Sequence, residues 1–202
     1  MAELLEINQY NPQPRLIKKV VESLSKGGII VFPTDSCYAI GCRMNDKDAI
    51  DKILRIRNET EEHFFSILVE DLSMASEYAK LSNRDFKFIK KHAPGPFTFI
   101  LPSLKDLYKK HKLSKRKTIG VRIPDRNLVQ AILKAFGEPI VTFSLVFPED
   151  EFPKNDPLEI YDKLNRQVDI VIDSGFCDIE GTTVIDMLND EIDIVRYGIG
   201  TI

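Results

Sequence analysis

Cysteine is scarce: Cys37, Cys42 and Cys177 are the only three among 202 residues. Their number is odd and none stands in a C-x-x-C pair. Neither a disulfide framework nor a thiolate zinc site is expected, and each reads as a small, partly buried residue. No apolar run approaches the roughly 20 residues that a membrane-spanning helix needs. The opening Met-Ala-Glu-Leu-Leu-Glu carries acids where a secretory leader carries positive charge, so a cytoplasmic protein with no membrane partner is expected. The 11 prolines and ten glycines are dispersed, without a low-complexity tract or linker. Also missing are a G-x-x-x-x-G-K-S/T loop, a G-x-G-x-x-G after a strand, a G-x-S-x-G elbow and any His/Cys cluster at metal spacing. A nucleotide bound by this chain has to be held by dispersed arginines and hydroxyls in an open cleft.

What is present is an ordinary globular balance, 43% hydrophobic and 29% charged residues, enough to bury a full core. Helix-period and strand-like segments alternate, which predicts one α/β domain over 1–202. Leu16, Ile17, Val20, Val21 and Leu24 share a helical face that Gly27-Gly28 ends. Ile29 to Phe32 reads as a buried strand stopped by Pro33. A second helix starts at Asn45 or Asp46, and Phe64 to Val69 reads as a strand. Short helices are expected over 71–80 and 83–92. Strands are expected at Phe97 to Leu101, 118–123 and Ile140 to Val146. A helix over Leu128 to Phe136 has Gly137 at its C-cap position. Asp156-Pro157 opens a helix reaching about Gln167. Val168 to Ile172, Thr182 to Met187 and Ile192 to Val195 close the chain as strands, the last two as a hairpin. Long helical connections together with a terminal hairpin imply a mixed sheet.

The net charge of −3 conceals segregation. Residues 84–126 hold 13 Lys/Arg against three Asp/Glu, whereas residues 147–193 hold 14 acids against three bases. The densest basic stretch, Lys105 to Lys117 with Lys109, Lys110, Lys112, Lys115 and Arg116, lacks apolar periodicity and reads as an exposed loop. It either tracks phosphates or is a solvated loop balancing the acidic half.

Several polar groups stand where chemistry is done. Thr34, Asp35, Ser36 and Tyr38 follow a buried strand, at the end where α/β sheets bind ligands. Taken alone, the motif reads as an Asx/ST turn capping the next element rather than as a ligand site. Arg55 and Arg57 end an amphipathic helix, suited to a polyphosphate or to the helix dipole. His63 precedes a strand. Arg122 sits inside an apolar strand, so it must meet solvent, an acid or a cavity. Thr142 and Ser144 share one strand face. Thr182 is half-buried, and Arg196 ends the last strand.

These pieces, in this order, resemble the YrdC-like family of threonylcarbamoyl-AMP synthases, most closely its YciO branch. The matching runs are Gly28 to Gly41, Arg55-Ile56-Arg57, Pro94 to Leu101, Thr118 to Pro124, Gly137 to Ser144, Thr182 to Asp186 and Arg196-Tyr197-Gly198, spanning about residues 13 to 200. The resemblance implies a YrdC/RibB-like α/β fold: a twisted, mixed, open sheet with flanking helices around a large concave cavity. It implies a nucleotidyltransferase-like activity that joins L-threonine, bicarbonate and ATP, the last with Mg2+, into threonylcarbamoyl-AMP and pyrophosphate, for the threonylcarbamoyladenosine (t6A) modification of tRNA. Members are also described as binding double-stranded RNA. Carried over by position, Thr34, Tyr38, His63, Arg122, Thr142 and Thr182 would meet the amino acid. Arg55, Arg57, Thr118, Ser144 and Arg196 would meet the nucleotide. Lys109, Lys110, Lys112, Lys115, Arg116 and Lys117 would meet RNA.

The chain departs from the family pattern in three places. Ser36 replaces a threonine and Arg55 a lysine. Ser144-Leu145-Val146 stands for Ser-Ala-Asn, so an apolar side chain replaces an amide. The second domain of longer synthases is not expected either. These departures bear on ATP turnover more than on ligand binding, and leave a non-catalytic RNA- or nucleotide-binding protein as the alternative.

Overall fold

The computed structural model describes residues 1–59, 66–104, 117–189 and 191–202. Local signals in the sequence set most element boundaries. Pro14 occupies the first turn of α1 (Pro14–Ser25), which buries Ile17, Val20 and Leu24. The Asp46 side chain accepts from Ala49 N–H and opens α2 (Lys47–Arg57). α3 (Leu72–Ser76) is shorter than the 71–80 span predicted. Ser82 and Asp85 form a reciprocal capping box at the start of α4 (Asn83–His92). α5 (Asn127–Phe136) ends at Gly137, whose φ of 70° suits a residue without a Cβ. Asp156 caps α6 (Pro157–Leu164), which stops three residues short of the expected end.

The strands are β1 (Glu3–Glu6), β2 (Ile30–Pro33), β3 (Tyr38–Arg43), β4 (Ser66–Leu68), β5 (Phe97–Pro102), β6 (Thr118–Arg122), β7 (Ile140–Ser144), β8 (Ile170–Asp173), β9 (Thr183–Asp186) and β10 (Asp193–Arg196). They form one twisted open sheet in the order β1-β8-β2-β3-β7-β4-β6-β5-β9-β10. Four pairings are parallel (β1/β8, β2/β8, β4/β6, β5/β9) and five antiparallel, so the sheet is mixed, as predicted. The β9–β10 hairpin forms, with a bulge between Ile194 and Arg196. Two strands escaped the sequence pattern. β1 is four residues long and flanked by acids. β3 was subsumed in the polar turn that precedes it.

The two faces of the sheet are covered unequally. On one face Val31, Ile40, Val141, Val121, Phe99 and Ile185 join residues of α2, α4 and α6 in a single core. On the other, α1 and α5 cover only part of the sheet, packing Ile17, Val20, Leu128 and Ile132 over Ile30, Phe32, Ala39, Leu68 and Ile140. Beyond that point the second core has no residues among those described. The same face continues mostly in small or polar side chains, with Thr142 opposite Ser66 and Ser66 opposite Gly120, although Gly120 lies opposite the apolar Ile100. Ser66, Thr98, Thr118, Gly120 and Ser144 are all half-buried rather than sealed. Strand alternation thus leaves a polar floor between β3 and β9 that none of the described helices covers.

Candidate functional site

Arg122 anchors one wall of this floor. Its neighbours Val121 and Ile123 are core residues, so period-2 alternation turns its side chain to the opposite face. There Nη2 donates to Thr34 Oγ1 at 2.9 Å, to Ser36 Oγ at 3.0 Å and to the Asp35 carboxylate. Both members of the ion pair are nearly buried, with side-chain exposures of 7% and 8%. The Asp35 carboxylate also accepts from Asp125 N–H at 3.0 Å. These bonds draw the β2–β3 turn to the end of β6. Thr34 Oγ1 donates in turn to Cys37 O at 2.7 Å, so the expected local turn and a long-range site coexist in the same residues.

A second arginine staples the turn from behind. Arg126 Nη1 donates to Thr34 O at 2.8 Å and Nη2 to Ser174 O at 3.4 Å. Tyr38 is fully buried and its hydroxyl donates to Gly175 O at 2.8 Å. Burial, with the nearby Cys177, raises its pKa far above the ordinary phenol value. Tyr38 therefore supports the turn from within the core. Cys177, against Arg126 and Thr34 O, has its thiol pushed up to about 11 by burial, which the Arg126 charge opposes.

At the β9 end, Arg196 Nη2 donates to Thr182 O at 2.9 Å and Thr182 Oγ1 lies 2.7 Å from Thr98 Oγ1. Arg196 is an exposed residue, yet its guanidinium is engaged at Thr182. Gly198 makes this approach possible, because a Cβ there would stand 2.3 Å from Gly181 O. At the end of β7, Arg57 Nη1 donates to Ser144 O, Nη2 to Glu59 Oε1 at 2.7 Å, and the guanidinium lies 5.4 Å from the Phe143 ring centroid. Thr142 is buried and donates to Ser66 O at 3.4 Å, and Thr118 faces the same floor.

The arginine pair of α2 does not act as a pair. Arg57 is 8% exposed, whereas Arg55 is exposed and leaves the helix on another side, as residues two apart must. His63, Lys109, Lys110, Lys112, Lys115 and Arg116 lie outside the described residues. Lys117 is exposed at the start of β6. Arg126, Glu59 and Thr98 are absent from the residues the sequence points to, and Asp35 stands there only as part of the polar turn, without a role of its own. Arg126 and Thr98 had visible signals: a cation just past the Pro124 stop, and a hydroxyl between Phe97 and Phe99 of a strand. Three guanidiniums, those of Arg57, Arg122 and Arg126, keep a buried Nε with no hydrogen-bond partner among the described residues.

The fold and site define an open mixed-sheet α/β protein with dispersed arginines and hydroxyls on one face of its sheet. A family model for Sua5/YciO/YrdC proteins, described as telomere recombination, matches residues 22–198. The chain belongs to this Sua5/YciO/YrdC family. It is 44% identical over 202 residues to the uncharacterized protein YciO of Escherichia coli, covering 100% of this chain and 98% of that one. The crystal structure of E. coli YciO superposes with a TM-score of 0.93 over the same shares. The threonylcarbamoyl-AMP synthase of Buchnera aphidicola is 32% identical over 124 residues, 60% of this chain and 70% of the synthase. P. abyssi Sua5, solved complexed with L-threonine, shares the fold at 18% identity and a TM-score of 0.86, covering 98% of this chain and 58% of that one. Among the described residues no helix is long and apolar enough to cross a membrane.

Proposed function

We propose that this protein holds L-threonine and ATP together on the polar face and joins them, with bicarbonate, into threonylcarbamoyl-AMP, releasing pyrophosphate. The observation that supports this most is the polar floor between β3 and β9, bounded by Arg122 on Thr34 and by Arg196 on Thr182. Arg122, Thr34, Thr142 and Thr182 serve the amino acid. Arg57, Ser144, Thr118 and Arg196 serve the nucleotide. The relatedness to threonylcarbamoyl-AMP synthases and the L-threonine complex of P. abyssi Sua5 support the same assignment. No side chain has to act as a nucleophile: adenylyl transfer needs alignment and neutralisation of the leaving pyrophosphate, which guanidiniums supply. Mg2+ arrives on the triphosphate, and among the described residues no group of three His, Cys, Asp or Glu could hold a metal ion. The place of action is the cytoplasm and the product feeds tRNA modification.

The test is pyrophosphate release from ATP by purified protein. Release that requires both L-threonine and bicarbonate is expected. Its absence, under conditions where a related synthase turns over, overturns the catalytic reading.

A second reading is favoured by Val146, which stands where the resemblance places an asparagine, and by the engagement of Arg57 with Glu59. In it the protein binds nucleotide or double-stranded RNA without turnover. Val146→Asn then raises pyrophosphate release from nothing to a measurable rate. RNA affinity falls steeply with salt, and replacing Lys109, Lys110, Lys112, Lys115, Arg116 and Lys117 flattens that slope.

A further inference from the structure

Arg122 does not offer a free positive charge. Its guanidinium is already matched by the Asp35 carboxylate, and both side chains are more than nine-tenths buried. The two Asp35 oxygens point to different donors, one to Arg122 and the other to Asp125 N–H. The pair is therefore fixed in orientation, with a cationic and an anionic end, and is neutral as a whole. A ligand that brings only a carboxylate adds an uncompensated negative charge beside Asp35. A ligand that brings both a carboxylate and an ammonium adds none, and meets an opposite charge at each end. Each Asp35 oxygen accepts one of these bonds and has the capacity to accept a second.

We propose that Asp35 is a specificity-determining residue: it receives the ammonium of the ligand while Arg122 receives the carboxylate, so the subsite selects zwitterionic α-amino acids over simple carboxylic acids. This rests on the amino-acid reading of the site given above. It assigns Asp35 a task distinct from holding Arg122, because an asparagine could still hydrogen-bond to the guanidinium but could not balance an ammonium.

The test is calorimetric titration of the full chain with L-threonine and with 3-hydroxybutanoate, which keeps the carboxylate and hydroxyl but lacks the ammonium. The wild-type protein is expected to prefer L-threonine by at least about tenfold, and Asp35→Asn to reduce that preference by about tenfold or more. Circular dichroism verifies folding of the variant. A folded variant that weakens both ligands equally, leaving the ratio intact, shows a merely structural role and overturns the proposal. Should the variant fail to fold, the wild-type ratio decides, and binding of the two ligands within about threefold of each other overturns it. Failure of the wild-type protein to bind either ligand overturns the amino-acid reading itself, and this inference with it.

Discussion

Arg57 and Ser144 meet across 87 residues of sequence, the guanidinium of one donating to the backbone carbonyl of the other. The carbonyl is at the last residue of β7 and the arginine is at the last residue of α2, so two unrelated elements end at the same point. Glu59 and the Phe143 ring complete the cage. A phosphate arriving here would share the guanidinium with Glu59.

Arg57→Ala should therefore act twice. Ser144 O keeps its bond from Val146 N–H at 3.0 Å, so losing the guanidinium bond costs roughly 0.5–1.5 kcal/mol, read from the urea midpoint. The same variant should lose the rise in melting temperature that ATP gives the wild-type protein. Glu59→Gln keeps the hydrogen bond but removes the competing charge, and should raise ATP affinity by about threefold to tenfold.

Gly198→Ala probes the opposite end of the floor. The new Cβ would stand 2.3 Å from Gly181 O and 2.6 Å from the carbonyl carbon of Thr182, and both are backbone atoms without a flexible end to yield. The strand end must shift, carrying Arg196 off Thr182. The expected result is a stability loss of about 1–3 kcal/mol and loss of ATP-dependent thermal stabilisation. An unchanged ATP response would detach Arg196 from the nucleotide.

The fold was largely legible because its signals are local. Asp46, Asp156 and Gly137 mark helix ends by chemistry that acts within one turn, and short apolar runs mark the central strands. β3 was hidden because Tyr38 to Arg43 contains Gly41, whose value lies in tertiary packing: a Cβ there would approach Val141 O at 2.7 Å. The site was legible as a set of residues but not as a set of pairs. Nothing in the spacing says that Arg122 spends its charge on Asp35, or that Arg57 turns to Ser144 while Arg55 turns away. Those partnerships depend on which strands neighbour one another, and β6 lies beside β4 and β5, far from β2 in sheet order. Tyr38 illustrates the same limit, since its buried direction follows from strand pairing with Pro33 rather than from the polar company it keeps in sequence.

The α4 capping box supplies a pH test. Burial alone would raise the Asp85 pKa, but hydrogen bonds from Ser82 and Arg84 outweigh it and hold the carboxyl below its ordinary value. A depressed carboxyl stabilises the folded state above its unfolded pKa, and that contribution disappears as pH falls through the folded value. Asp85→Asn should thus cost about 1 kcal/mol at neutral pH. The gap from wild type should close as pH drops below about 4. Thermal unfolding at several pH values measures both.

Cys177 is half-exposed, and its thiol is pushed up to about 11. Because the thiolate is the nucleophile, alkylation by iodoacetamide at pH 8 should be slow compared with a free cysteine of pKa about 8.5, and should climb about tenfold per pH unit toward 11. Mass spectrometry of the folded protein follows the rate. A plateau near pH 9 would contradict the placement of Cys177 against Thr34 and Arg126.

The claim on which the functional account stands is that one polar face holds the amino acid and the nucleotide together. Titrating L-threonine into the protein in the presence of ATP, and then into Thr182→Ala and Arg57→Ala, addresses it most directly. The account predicts saturable heat in the wild-type protein that Thr182→Ala weakens by about tenfold whether or not ATP is present, and that Arg57→Ala weakens only when ATP is present. Wild-type protein that takes up neither ligand, or variants that bind both unchanged, would contradict it.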